Sequence, residues 1–417
     1  MIDRLIFERS VLPNGATLYL HSMDVPFTTV YLMVPVGLAH GGVGSVISGS
    51  PHFLEHIMHG RSQKNSQRSG LDLAVGMTGG WTNAHTSLLW TTYELSVPNR
   101  HLTHMLPLLC SAVFEPLFLD EDLEQQCGVI ANERQLERWW PGSGEITQYM
   151  RTGWQLDDPV SLDRTFGTDY DLAAISKENL RTLHSQYFDK RIKIIVVGSG
   201  DVSSLVNFVS DLILDAEPLE PQYQPLSWVK REYHEKAFRD SGSYELLLGG
   251  IISQTPDMEA VCVSNMILNY LCNSTHGALY AWLRNENGWI YDINWSINQG
   301  TWGVDWGLSF DLNEMEQVQT VRNELWPRME QAILDTDRVR LEIQRLRDKT
   351  EAFYYQIPDD IMDVASADMR VMGHIITEKQ WDKYLERCLD PTYLLTAFHR
   401  YFDQAESGSF CAVPEPD

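Results

Sequence analysis

The chain has 417 residues, 43% of them apolar, and a formal net charge of −25. Its length exceeds the usual single core, so more than one domain is expected. The acidic balance disfavours nucleic acid, whose phosphates it would repel. No run of about eighteen apolar residues marks a membrane span.

Six cysteines (Cys110, Cys127, Cys262, Cys272, Cys388 and Cys411) are scattered without a C-x-x-C pair. This argues against a disulfide framework or a cysteine-based zinc site and favours a reducing cytoplasm. Residues 1–9 lack the basic start and apolar core of a signal peptide, in keeping with a cytoplasmic location.

In chain order, residues 11–36 read as a hairpin. Asn14-Gly15 is a turn dipeptide, followed by β-rich Ala16-Thr17-Leu18-Tyr19-Leu20 and Thr28-Thr29-Val30-Tyr31-Leu32-Met33-Val34. Gly37, Gly41, Gly42, Gly44 and Gly49 follow. No G-K-[ST] closes this stretch, so it is no phosphate loop, and it lets the chain turn towards the next element.

That element is Pro51-His52-Phe53-Leu54-Glu55-His56, which reads H-x-x-E-H, the inverzincin metalloprotease order. On a helix, His52 and His56 stand at i and i+4 on one face and can hold one Zn²⁺ from the same side. Glu55 then sits beside the metal without having to ligate it, placed to take a proton from the attacking water. Ser50 suits the N-cap and Pro51 the first helical position. By itself the motif also fits a solvated helix face, and a zinc protease needs a third protein ligand.

Residues 90–97 read as a β-rich strand, and 101–118 as a helix with Leu102, Met105, Leu106, Leu109 and Val113 on its apolar face. A further helix opens with Asp120, Glu121 and Asp122, as a helix N-terminus prefers, and carries Glu133 after Val129 and Ile130.

With these residues the chain resembles the M16 peptidases, which include pitrilysin, insulin-degrading enzyme and the mitochondrial processing peptidases. The resemblance implies zinc ligands His52, His56 and Glu133, with Glu55 as general base. It also gives meaning to Gly79-Gly80-Trp81-Thr82-Asn83-Ala84-His85-Thr86. In the family this N-A-x-T segment is an edge strand beside the metal, to which a substrate peptide adds as another strand, with Asn83 and Ala84 nearest the scissile bond. One departure stands out. Many relatives carry an outer Glu seven residues before the third ligand, and Gln126 stands there here, which bears on metal affinity or activity level rather than on ligand identity. His40, His59 and His85 read as second-layer or surface groups, because the three-ligand set is complete without them.

Residues 165–187 are mixed helix, and 191–198 form a strand, so strands and helices cluster as in an α+β fold rather than a doubly wound sheet. Pro218, Pro221 and Pro225 mark an extended linker, residues 217–228. Beyond it the pattern restarts. Tyr187-Phe188-Asp189 before one strand is matched by Tyr401-Phe402-Asp403 before another, each after a helical stretch. Two copies of one α+β unit are therefore expected, a metal-bearing 1–216 and a homologous 229–417 without the motif.

The second copy contains Leu283-Arg284-Asn285-Glu286-Asn287-Gly288-Trp289-Ile290-Tyr291. A helix ending near Asn287-Gly288 places Arg284 in its last turn, with Tyr291 opening the next strand. Alone this is an ordinary helix end. In the family an L-R-x-x-x-G-x-x-Y pair binds substrate, and in two-chain members it reaches the partner's zinc. The resemblance thus implies that Tyr291 donates to the oxyanion and Arg284 holds the substrate backbone. It further implies antiparallel-rich sheets packed with helices, and a small-subunit type that closes with a second chain into a chamber. The expected activity is zinc-dependent endopeptidase action on unfolded peptides, from removing the leader of a ribosomally made precursor to general peptide turnover. The expected assembly is a homodimer, or a heterodimer with a homologous M16-like subunit. The alternatives are an active subunit that requires such a partner, and a non-catalytic peptide-binding or assembly member.

Overall fold

The computed structural model describes residues 6–58, 60–139, 162–222, 233–238, 242–300, 303–349, 378–404 and 407–414, with scattered positions between 358 and 376. His59 lies outside the described residues, as does the second half of the expected linker, residues 223–228. Among the described residues, no helix is long and apolar enough to cross a membrane.

The first sheet has six strands: β1 (Glu8–Val11), β2 (Thr17–Ser22), β3 (Phe27–Val34), β4 (Trp81–Thr86), β5 (Thr91–Pro98) and β6 (Lys193–Gly198). Their spatial order is β1-β2-β6-β3-β5-β4. This corrects the expected hairpin. Asn14-Gly15 does turn the chain, with Gly15 at φ +98°, but the strands it joins are β1 and β2. The β2 and β3 strands never pair, because β6 lies between them, parallel to β2 and antiparallel to β3. Ile194 to Val197 are fully buried, so this apolar run needs a neighbour on each side and takes the centre of the sheet.

Three longer helices pack with this sheet: α1 (Ser50–Met58), α3 (Asn99–Phe114) and α4 (Asp120–Trp139); a shorter one, α2 (Gly70–Gly76), precedes β4. Phe53, Leu54 and Ile57 of α1 join Val30, Leu32 and Leu106 in one core, which fixes the face that α1 turns away from it.

The second sheet comprises β7 (His234–Phe238), β8 (Tyr244–Ser253), β9 (Ile293–Gly300), β10 (Gly303–Leu312) and β11 (Gly408–Pro414) in the order β7-β11-β8-β10-β9. A parallel pair leads into three antiparallel neighbours, as in the first sheet from β2 to β4. The chain is thus two tandem α+β units of one topology, with β9 occupying the place of β4 and the helix Met258–Cys272 that of α1.

The two units share a further core that sequence reasoning missed. Tyr19, Tyr31, Met33, Ile195 and Val197, on the face of the first sheet opposite α1, bury Ile361, Met362, Ala365 and Met369 from the second half. Their three- and four-residue spacing was the available signal. Residues 213–222, which run into the expected linker, form no helix or strand and are docked on the first unit. Ala216 N–H donates to the Phe188 carbonyl (3.1 Å), and Gln222 N–H to that of Ala39 (2.8 Å).

Candidate metal centre

The α1 helix begins where expected, with a different cap. Gly49 turns the chain at φ +80°, and its carbonyl accepts the Phe53 N–H at 2.9 Å. A Cβ on Gly49 would lie 2.6 Å from the Phe166 backbone, so only glycine fits there. Ser50 is the first helical residue instead of the cap, and its buried Oγ has no hydrogen-bond partner among the described residues.

From α1, His52 and His56 bring their Nε2 atoms to 3.3 Å of each other. Glu133 reaches the same atoms from α4, its oxygens 3.2 Å from His56 and 3.8 Å from His52. Glu133 is placed by Ile130, one helical turn earlier, which is fully packed in the core. Tetrahedral zinc with N donors at ordinary bond lengths needs donor–donor edges of about 3.3 Å. Two imidazoles and a carboxylate converging at this separation therefore fit a zinc ion.

The electrostatics agree. Burial lowers the pKa of His52 and keeps its imidazole neutral, the form a metal requires. Burial also opposes the charged form of His56, but the Glu133 hydrogen bond and the Glu55 and Glu133 charges outweigh it and raise the pKa. Burial works against the Glu133 carboxylate, and the His56 hydrogen bond with the two nearby imidazoles outweighs it, so this pKa falls. The carboxylates thus favour positive charge at His56, while burial keeps it off His52.

Glu55 is 7% exposed and groups with His52 and His56, their ligand atoms all within 4.8 Å of one another. Thr86 Oγ1 donates to its Oε2 at 2.5 Å. Sequence reasoning gave Thr86 no role. The signal was parity: Thr86 alternates with Ala84 and Thr82 on the face of β4 that looks towards the helices. Gln126 Oε1 accepts from His56 Nδ1–H at 3.2 Å.

The segment carrying Asn83 and Ala84 is the edge strand β4, paired with β5 through Asn83↔Glu94 and Ala84↔Tyr93. Ala84 packs on the core, while Asn83 is exposed. His40 is buried with Nδ1 on the Gly37 backbone, and His85 Nδ1 pairs with Glu94 at 2.8 Å, so neither joins the cluster.

Arg284 lies in a π-helical turn, Ala281–Glu286, and Gly288 follows at φ +68°. Its guanidinium sits 5.1 Å over the Tyr291 ring, and Nη1 donates to the Ile290 carbonyl at 2.9 Å. Tyr291 is 81% exposed and precedes β9, which opens at Ile293, rather than opening the strand itself. No hydrogen bond or ion pair among the described residues joins this pair to the histidine cluster.

Residues 17–139 match the family model "Insulinase (Peptidase family M16)", and 174–346 match "Peptidase M16 inactive domain". The chain is 23% identical over 294 residues to the uncharacterized zinc protease YmxG of Bacillus subtilis, covering 69% of each. It is 24% identical over 225 residues to the uncharacterized zinc protease SCO5738 of Streptomyces coelicolor, covering 53% of this chain and 48% of that one. In fold it is similar to the crystal structure of a protease from Helicobacter pylori, with TM-score 0.77 and 18% identity over 98% of this chain and 99% of that one.

Proposed function

The chain belongs to peptidase family M16, and from that premise we propose that it is a zinc-dependent endopeptidase acting on unfolded peptides. The observation that carries this reading is the convergence of His52, His56 and Glu133 beside Glu55. In the proposal these three hold the zinc, which when bound supplies Lewis-acid polarisation and a more acidic water.

The chain's own residues do the rest. Exposed backbone groups along β4 add an extended peptide as a further strand, with Asn83 and Ala84 beside the scissile bond. Glu55, oriented by Thr86, takes the proton of the attacking water and passes it to the leaving amine. Tyr291 donates to the developing oxyanion, and Arg284 holds the substrate backbone. Exposure of Tyr291 supports the pair serving a partner chain's metal, so a homodimer would form two composite sites within a chamber. Enclosure would admit flexible chains and exclude folded ones, which suits precursor processing or peptide turnover.

The test is cleavage of a mixed peptide library by the purified chain, with zinc content and native mass recorded. Wild type should cut, and Glu55→Gln should keep zinc and fail. Glu133→Gln should lose zinc, and zinc retained there at wild-type affinity would sink the ligand assignment. Mixing inactive Glu55→Gln with inactive Tyr291→Phe should restore activity if the pair serves in trans. Zinc-loaded wild type that cuts nothing would favour a required second subunit or a binding role.

A further inference from the structure

The imidazole of His56 is gripped at both nitrogens by one helix. Glu133 meets Nε2 at 3.2 Å, and Gln126, two turns earlier on the same face of α4, meets Nδ1 at 3.2 Å. Among the described residues His52 has no such support, since its Nδ1 is buried without a hydrogen-bond partner there. An acceptor on Nδ1 fixes which ring nitrogen carries the proton, and hence which one offers a lone pair to a metal. A carboxylate in that place also pushes electron density into the ring and makes it a stronger ligand. An amide oxygen orients the ring with far less of that push, because it carries no net charge.

We propose that Gln126 is a positioning residue that fixes His56 as the Nδ1–H tautomer, aims Nε2 at the zinc, and as a neutral acceptor keeps the metal less tightly held than a carboxylate would. With an amide on His56 Nδ1 and no acceptor on His52 Nδ1 among the described residues, these two imidazoles would donate less charge to a bound zinc than carboxylate-backed ones. This rests on the zinc site proposed above.

The test uses the full chain loaded with zinc. Affinity is measured by competition with a chromogenic chelator for wild type, Gln126→Leu and Gln126→Glu, with thermal melts as fold controls. The His56 tautomer is read from ¹⁵N imidazole correlations, assigned by loss of signal in His56→Asn. Gln126→Leu should bind zinc roughly tenfold to a hundredfold more weakly. Gln126→Glu should bind more tightly than wild type, and wild-type His56 should carry its proton on Nδ1. Affinity of Gln126→Leu within about twofold of wild type would overturn the positioning role, since removing an outer acceptor otherwise costs far more. Unchanged or weaker binding by Gln126→Glu would overturn the neutral-acceptor argument. Wild type that binds no zinc would instead remove the site reading, and this inference with it. Because the readout is affinity, a zinc-binding chain without peptidase activity still decides the matter.

Discussion

Tyr31 on β3 donates its hydroxyl to Asp363 at 3.0 Å, tying the first unit to the second half of the chain. Around this bond Met362, Ala365 and Met369 are fully buried against Tyr19, Met33, Ile195 and Val197. An ionised carboxylate placed there would be stripped of its hydration in a closely packed apolar layer. Met362→Asp should therefore destabilise the protein by on the order of 3–5 kcal/mol, the usual scale of an uncompensated buried charge. Tyr31→Phe should cost about 1 kcal/mol. Urea unfolding measures both. A Met362→Asp protein as stable as wild type would mean that this segment does not rest on the sheet in solution.

Thr86 connects the edge strand to the proposed base, because its hydroxyl donates to Glu55 on the neighbouring helix. Valine keeps the shape and removes the donor. The Glu55 carboxylate would stay buried and turn away from one direction. Thr86→Val should lower kcat roughly tenfold to a hundredfold, the range expected when a reacting group is misplaced by a fraction of its length. Zinc content should not change, and Thr86→Ser should recover most of the loss. Equal kcat for wild type and Thr86→Val would show that the bond does not orient the base.

Much of this centre was legible because its signals are local. The H-x-x-E-H spacing needs only one helix, and the acidic run Asp120–Asp122 starts the next one where α4 begins. The repeated unit was legible from its matching ends, and the two sheets share a strand order. What failed depended on distant partners. The β2 and β3 strands looked like a hairpin because nothing near them in sequence announces β6, some 160 residues on, as the strand that separates them. The Thr86 contact was hidden for the same reason, since it exists only once two elements have packed, whereas Gln126 was singled out by the resemblance and only its His56 partner was not. The Ser50 cap was misread because Gly49 alone tolerates the close approach of the Phe166 backbone.

In the second unit Glu342 is a buried carboxylate held between His276 and Arg345. His276 Nε2 lies at 2.8 Å, and Arg345 donates through Nε at 2.8 Å and Nη2 at 2.5 Å. Burial alone would raise its pKa, but the hydrogen bonds from Arg345 and His276 outweigh burial and lower it. A folded-state pKa below the unfolded value of about 4.3 stabilises the fold above that value. The contribution is lost as pH falls through the folded-state pKa. Glu342→Gln should therefore lower stability by on the order of 1.5–3 kcal/mol at neutral pH. The gap to wild type should close on acidification below the ordinary carboxylate range. Unfolding free energies from pH 7 down to pH 3 would show this, and a gap constant across that range would mean that the carboxylate charge is not what stabilises the contact.

Arg284 and Tyr291 should act as one unit rather than as two independent contacts. The guanidinium covers the phenol ring at 5.1 Å and is tied to the neighbouring Ile290 carbonyl. A mostly exposed tyrosine keeps many rotamers unless something holds it, and Arg284 is the group stacked on it. In the proposed roles, removing Arg284 takes away a substrate contact and also releases the proposed oxyanion donor. Tyr291→Phe should lower kcat roughly a hundredfold to a thousandfold, the scale of one lost oxyanion donor. Arg284→Ala should lose a comparable share. The double variant should fall well short of the product of the two losses, because each substitution disables the same unit. Arg284→Lys should rescue little, since an ammonium lacks the planar face that stacks on the ring. If the losses multiply instead, Arg284 works on the substrate independently of Tyr291, and the stacking contact has no part in catalysis.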